Sequence, residues 1–426
     1  MRVAVIADSD TRWKWGVLTA HRLAPAAAVD GYLLRGRATP TPRQLAESGA
    51  PGEPLGEVTA PEFAERARGY DLVVLACVGR AVQALLHGLA HAARTVPDAP
   101  RPLVATGYVG VVYEKLPDGL LLRHGADLVL ANSRHDAARF RAVYEGAGAE
   151  PGGVVEAALP FLADAAPIPA GGDAHPYTVV FAVQPSVPDT RAERAYLLRR
   201  AAQHARLHPD REVLVKLRSR PGEHTTHVEE LPYQRLAKRL PGGLPANCRL
   251  VYGHMGALLE RTDLLVTVSS TAALESLHRG VATAVLTDLG IREPLGNHYF
   301  LGSGCYASWD QLDAGLVPTA DPAWVAEHGA ADGEFTAARA RLARLLGAPR
   351  PALAPYLSAH TAPGFLPPLL ERYGFAPDGS PLPTARTAAP SGVRGAARTL
   401  LRTAARGAYR SGVQRIAPLI RRMGAL

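Results

Sequence analysis

Three hydroxyl residues in a row, Ser269-Ser270-Thr271, separate a short apolar run from a helical pattern. Leu264 to Val268 reads as a buried strand. Thr271 to His278 then turns helical, with Leu274 and Leu277 facing a core and Gly280 ending the helix. Hydroxyls at a strand-to-helix junction set N–H and O–H donors at the positive end of a helix, which suits a phosphate. The plainer alternative is that Ser270 or Thr271 caps the helix. Lys216, Arg218 and Arg220, at and after the apolar run Val213–Val215, supply positive charge for the same anion. Gln184, straight after the apolar run 179–183, is a further candidate nucleotide contact.

Candidate acids lie in the N-terminal half. Asp118 precedes Gly119 in the stretch 113–119, and Glu114 stands four residues earlier. On its own a Pro-Asp-Gly sequence reads as a turn. Asp8 and Asp10 occupy the loop after a first strand, where they either face a ligand cleft or cap the next turn. Trp13 and Trp15, two residues apart, either stack on a sugar or base or simply pack. Asn297 and His298 sit in the polar, glycine-bearing loop 292–300 and are candidate donor or acceptor contacts. No stretch in the C-terminal half has metal-ligand spacing, and no metal or cofactor is expected.

The elements that must position these residues follow an α/β pattern. Apolar runs at 2–7, 73–77, 103–106 and 127–131 alternate with helical stretches, and Asn132-Ser133 with Asp136 reads as a capping-box start. Proline and glycine crowd residues 166–176, and the alternation then restarts at 177–183, 212–216, 249–252, 264–268 and 283–286. The expected fold is two Rossmann-like β/α/β domains facing across a cleft, with a basic C-terminal helical tail. The boundaries are 1–165 for the first domain, 166–176 for the linker, 177–375 for the second domain with closing helices, and 376–426 for linker and tail.

The net charge of +8 is carried by that tail. From Arg386 onward there are nine arginines and no acid, so residues 1–385 sum to 8 − 9 = −1. Arg394, Arg398, Arg402, Arg406 and Arg410 recur every four residues opposite Leu400, Leu401 and several alanines. The stretch 394–422 thus has the charge pattern of a helix that lies on an anionic membrane. Nucleic acid is not expected, because the body has no basic patch in sequence. Cys77, Cys248 and Cys305 are odd in number and far apart, which suits a reducing compartment. Without an apolar run of spanning length, the protein is expected to be cytoplasmic, at most peripheral on the membrane's inner face.

Two tandem β/α domains with a Ser-Ser-Thr loop in the second resemble a GT-B glycosyltransferase. More narrowly, the chain resembles bacterial sialyltransferases, polysialyltransferases and the Kdo transferases of capsule assembly. Ser269-Ser270-Thr271 stands for that group's Ser-Ser/Thr motif and Asp118-Gly119 for its acidic-Gly motif, while Arg220-Pro221 occupies the His-Pro position. The resemblance implies a CMP-activated sugar as donor, a glycan or lipid-linked acceptor, Asp118 or Glu114 as general base, and phosphate held by protein donors. The alternatives are a UDP- or GDP-sugar transferase, a CDP-alcohol phosphotransferase, a nucleotide-sugar 2-epimerase, and a non-catalytic binding module.

Overall fold

The computed structural model describes all residues except 37, 96–99, 112–114, 163–174, 221–230, 330–334 and 384–426. It contains two α/β units. The described residues of 1–164 and 326–387 form the first, and those of 165–325 the second.

The first unit opens with β1 (Arg2–Ala7), α1 (Asp10–Leu23), β2 (Ala28–Leu34), α2 (Pro42–Ser48) and β3 (Glu57–Val58). It continues through α3 (Ala60–Arg66), β4 (Leu72–Ala76), α4 (Gly79–Arg94) and β5 (Leu103–Gly107). Then come α5 (Leu116–Leu121), β6 (Leu128–Ala131), α6 (Arg134–Gly146) and β7 (Val154–Glu156). All pairings are parallel, in the order β3-β2-β1-β4-β5-β6-β7. Alternate residues of each strand enter two separate cores. Ala4, Ile6, Val73 and Leu75 face one, while Val3, Val5, Leu72 and Val74 face the other. A parallel sheet covered on both faces explains why these strands are continuously apolar.

The second unit runs β8 (Thr178–Ala182), α7 (Arg191–Leu207), β9 (Glu212–Lys216), α8 (Tyr233–Ala237) and β10 (Cys248–Val251). After α9 (Met255–Leu259) come β11 (Leu264–Thr267), α10 (Ala272–His278), β12 (Ala282–Leu286), β13 (Tyr306–Ala307) and α11 (Trp309–Asp313). The sheet order is β10-β9-β8-β11-β12-β13, again wholly parallel.

The chain returns to the first unit through α12 (Pro322–Glu327), and α13 (Thr336–Leu346) and α14 (Leu366–Arg372) follow. This corrects the expected second domain of 177–375. Phe335, Ala338 and Leu342 join the first unit's core, and α13 meets β6, β7 and α1. Farther on, Phe375 packs where Gly88 of α4 has no side chain, and Arg94 donates to the Asp378 carbonyl at 2.9 Å. Composition shows helices and prolines here, but only packing shows which core they complete. The structure also adds β2, β3, β7 and β13, which the apolar-run reading did not find.

Trp13 and Trp15 are corrected too. Both are buried core residues of the first unit, at 2% and 1% exposure, and neither is available to a ligand. Ser9 caps α1 by accepting from the Arg12 amide, which fixes the helix register and turns Trp13 onto β2. Its ring fills the place of a missing side chain: a Cβ on Gly31 would stand 2.2 Å from Trp13 Cη2. A glycine inside a strand here marks close approach by an aromatic ring. Gly31→Ala is expected to destabilise the protein by about 1–3 kcal/mol in urea unfolding, the usual cost of overpacking. A change within 0.5 kcal/mol, on the order of a neutral surface substitution, would show that the ring has room to move.

Candidate functional site

In doubly wound sheets, ligands bind beyond the carboxyl ends of the strands, where the strand order reverses. That point lies between β8 and β11 in the second unit and between β1 and β4 in the first.

In the second unit, Gln184 follows β8 and Ser269 follows β11. Gln184 Oε1 accepts from the Ser269 amide at 3.0 Å and from its hydroxyl at 3.3 Å. Ser269 Oγ also reaches the Leu295 carbonyl. Ser269 is 2% exposed, so it bolts three loops together. The Ser270 amide donates to Thr267 Oγ1 at 3.1 Å, and Ser270 Oγ accepts from the Ala272 amide at 3.2 Å. The next two amides, of Ala273 and Leu274, bond the Ser270 and Thr271 carbonyls. The amide part of the expected phosphate cradle is therefore corrected: of the triplet's own amides, those of Ser269 and Ser270 are occupied, and so are the first amides of α10. Ser270 and Thr271 are only partly exposed.

Arg194, which the sequence reading did not single out, holds the Gln184 loop from below. It is buried, and its Nη1 donates to the carbonyls of Gln184, Pro185 and Pro188 at 3.2, 3.0 and 3.2 Å. Its guanidinium lies 4.4 Å from the centre of the Tyr233 ring. A single arginine in a charged helix gives no sequence signal for that task.

The cations after β9 separate into two kinds. Lys216 is buried and donates to the Leu217 carbonyl at 2.7 Å, so its ammonium is turned into the loop. Arg218 is partly exposed, and Arg220 is exposed with its guanidinium 5.5 Å from the Tyr252 ring centre. Gln234 fastens this loop by donating to both the Ser219 carbonyl and Tyr252 Oη at 3.0 Å.

Asn297 is corrected from ligand contact to loop brace. Fully buried, it accepts from the Arg292 amide and donates to the Leu286 and Gly290 carbonyls. His298 beside it is partly exposed.

In the first unit, Asp8 spans the reversal point. Its Oδ2 accepts from the Val78 amide at 2.8 Å and its Oδ1 pairs with Arg12 at 3.1 Å. Asp10 is the first residue of α1. Glu114 lies outside the described residues. Asp118 is exposed, and it lies not in a turn but in the first turn of α5. Lys115 just before it, at φ 52°, is the one non-glycine residue with left-handed backbone among those described. Gly119 is a glycine because Tyr108 Oη would stand 2.2 Å from a Cβ there.

Tyr108 leads to an acid whose role the sequence did not disclose. Ser133 caps α6 by accepting from the Asp136 amide, but no hydrogen bond returns from the Asp136 carboxylate, so the expected capping box is half formed. Asp136 is 1% exposed, neither carboxylate oxygen has a hydrogen-bond partner among the described residues, and Arg139 stands 3.6 Å away. Burial pushes its carboxyl up to about 6, against the lowering pull of Arg139. Burial likewise raises the Tyr108 phenol, with Arg123 opposing and both Asp136 and Asp118 adding to the rise. Arg123 lies 4.0 Å from the Tyr108 ring centre and donates to the Gly107 and Gly119 carbonyls.

The family described as "Putative glycosyltransferase (DUF6716)" matches residues 3–345. The chain belongs to that family, and its class is that of a glycosyltransferase. Among solved structures, a co-structure of S. aureus MnaA with UDP is similar over 81% of this chain and 95% of its own, at 11% identity and a TM-score of 0.53. UDP-GlcNAc 2-epimerase from Methanocaldococcus jannaschii is similar over 82% and 99%, at 12% identity and a TM-score of 0.50. At such identities the likeness shows the fold, two Rossmann-like units of the GT-B type. No curated protein matches the chain. Neither the family nor the fold reaches the narrower resemblance to sialyl- and Kdo-transferases.

Asp136 gives a pH-dependent expectation. Its folded-state pKa lies above the unfolded value of 3.8, so its contribution to stability is fullest below pH 3.8 and falls as pH rises through about 6. Asp136→Asn is expected to raise the unfolding free energy at pH 7.5 by about 1–3 kcal/mol and to leave it nearly unchanged at pH 3.5. Urea titrations at the two pH values check this. A loss of stability at pH 7.5 would mean that the ionised carboxylate is held by attractions exceeding its burial cost.

Proposed function

We propose that the protein transfers a glycosyl group from a nucleoside-diphosphate sugar to an acceptor hydroxyl. The reading rests on one observation: Arg218 and Arg220 stand in the loop beyond the carboxyl end of β9, the ligand-binding edge of such units. Two planar forks, two residues apart, suit a diphosphate better than a single phosphate. The co-structure of S. aureus MnaA with UDP supports the same choice. The CMP-activated acidic sugar implied by the hydroxyl triplet is not carried forward, because neither the family nor the fold supports it and the amides of Ser269, Ser270 and Ala272 are already bonded within the protein.

In the proposed step the acceptor oxygen bonds to the anomeric carbon and gives its proton to a carboxylate. The bond from that carbon to the phosphate oxygen breaks, and its electron pair leaves with the nucleoside diphosphate. Arg218 and Arg220 meet the charge that develops on the leaving group. Asp118 is the proposed base: it is exposed, and it lies three residues after Lys115, whose left-handed backbone is a conformation that gathers at functional sites. The acceptor is proposed to be glycan or lipid-linked, and the arginines of 394–422 to bring the protein to an anionic membrane. That stretch lies outside the described residues, and the reading rests on its charge alone. Among the described residues no helix is long and apolar enough to cross a membrane.

Thermal unfolding with UDP, GDP, CDP and CMP tests the donor class, since a ligand that binds only the folded state raises Tm. At least one diphosphate should raise Tm more than CMP does, and the Arg218→Ala/Arg220→Ala double variant should lose that rise while keeping its ligand-free Tm. Equal or greater stabilisation by CMP would overturn the diphosphate reading. Asp118→Asn should retain the Tm shift but lower nucleotide release from UDP- and GDP-sugars by about 10²–10⁴-fold; unchanged turnover removes Asp118 as the base. A chain ending at 383 should no longer sediment with phosphatidylglycerol vesicles at low salt, whereas the full chain should. Equal sedimentation would exclude the tail as the membrane contact.

A further inference from the structure

Away from the loops that follow the strands, α7 and α11 bring together three side chains of metal-ligand type. His204 and His208 are four residues apart at the C-terminal end of α7, so they share one face, and Asp313 ends α11. His204 Nδ1 lies 2.6 Å from Asp313 Oδ1, and His208 Nε2 lies 3.2 Å from the Asp313 carbonyl. One ligand atom from each residue falls within 4.8 Å of the others. His204 is fully buried beside Trp309, whereas His208 and Asp313 are partly exposed and give an ion a way in.

We infer that His204, His208 and Asp313 bind one divalent transition-metal ion, such as Zn²⁺, at the junction of α7 and α11. Two imidazoles and a carboxylate form a borderline ligand set that suits Zn²⁺ and leaves a fourth position for water. The ion takes the place of the proton shared by His204 Nδ1 and Asp313, and that proton passes to Nε2 of the ring, so His204 stays neutral.

The surroundings are arranged for such an ion. Arg200 donates to Asp313 Oδ2 at 3.0 Å, which leaves Oδ1 for the metal and holds the carboxylate from behind. Asp288 and Asp310 also face Arg200, so three carboxylates stand against the two guanidinium groups of Arg200 and Arg211. The C-terminal end of a helix favours a cation. Asn247 already takes the carbonyls of Ala205, His208 and Arg211, so the ion is held by side chains. Burial lowers the His204 pKa below the usual imidazole range, against the pull of Asp313, with His208 and Arg211 lowering it further.

Arg211 is the competitor. Its Nη1 stands 3.3 Å from His204 Nε2, and its guanidinium lies 4.8 Å from the Tyr177 ring centre. Metal on Nδ1 moves the ring proton to Nε2, and that contact must then be released.

The test is calorimetric titration of the full chain with Zn²⁺ after chelator treatment, alongside thermal unfolding with and without Zn²⁺. Wild type is expected to take up one ion that raises Tm. Affinity should fall at least tenfold in His208→Ala and in His208→Gln, the second of which can still donate to the Asp313 carbonyl. It should rise several-fold in Arg211→Ala, where the competing donor and charge are gone. Circular dichroism without metal checks that each variant folds. No uptake by wild type, or equal affinity in wild type and both His208 variants, overturns the inference and leaves the three residues as a hydrogen-bonded clamp.

Discussion

Where a parallel sheet reverses its strand order, two neighbouring strands send their chains away to opposite faces, and the amides just beyond them lose their ladder partners. This protein answers that constraint the same way twice. Asp8, after β1, accepts from the amide of Val78 after β4; Gln184, after β8, accepts from the amide of Ser269 after β11. In both cases a side-chain oxygen closes the crevice where doubly wound folds bind ligands. A buried amide left without a partner costs about 1–3 kcal/mol, so these bonds set the shape of each carboxyl edge before any ligand arrives.

The chemistry available there follows. With these amides bonded to the unit's own oxygens, the exposed or partly exposed cations just after β9 are the guanidinium groups of Arg218 and Arg220. Arg194 holds the Gln184 loop through three carbonyls, Asn297 braces the loop after β12, and Gln234 ties the β9 loop to Tyr252. Of the three, Gln234 acts on the segment that carries Arg218 and Arg220. In the first unit the exposed carboxylate of Asp118 and the buried one of Asp136 both act on Tyr108.

What was readable from residue order has a common cause. Strands covered on both faces must be continuously apolar, so β1, β4, β5, β6, β8, β9, β11 and β12 announced themselves, and so did the break between two α/β units. β2 did not, because Asp30 and Gly31 interrupt its apolar run. The glycine makes sense only once the Trp13 ring lies against it. The short edge strands β3, β7 and β13 hold two or three residues each, too few for a pattern to emerge.

The sequence by itself therefore determined the class of fold, the tandem units, the basic tail and the residue types gathered after each strand, because periodicity and composition are local properties. Only the tertiary structure decided that Ser269 is a bolt rather than a phosphate donor, that Trp13 is core, and that the described residues of 326–383 complete the first unit. It alone brought His204, His208 and Asp313 together. Those outcomes turn on which partner a polar atom finds across long separations in the chain, and no local pattern encodes that choice.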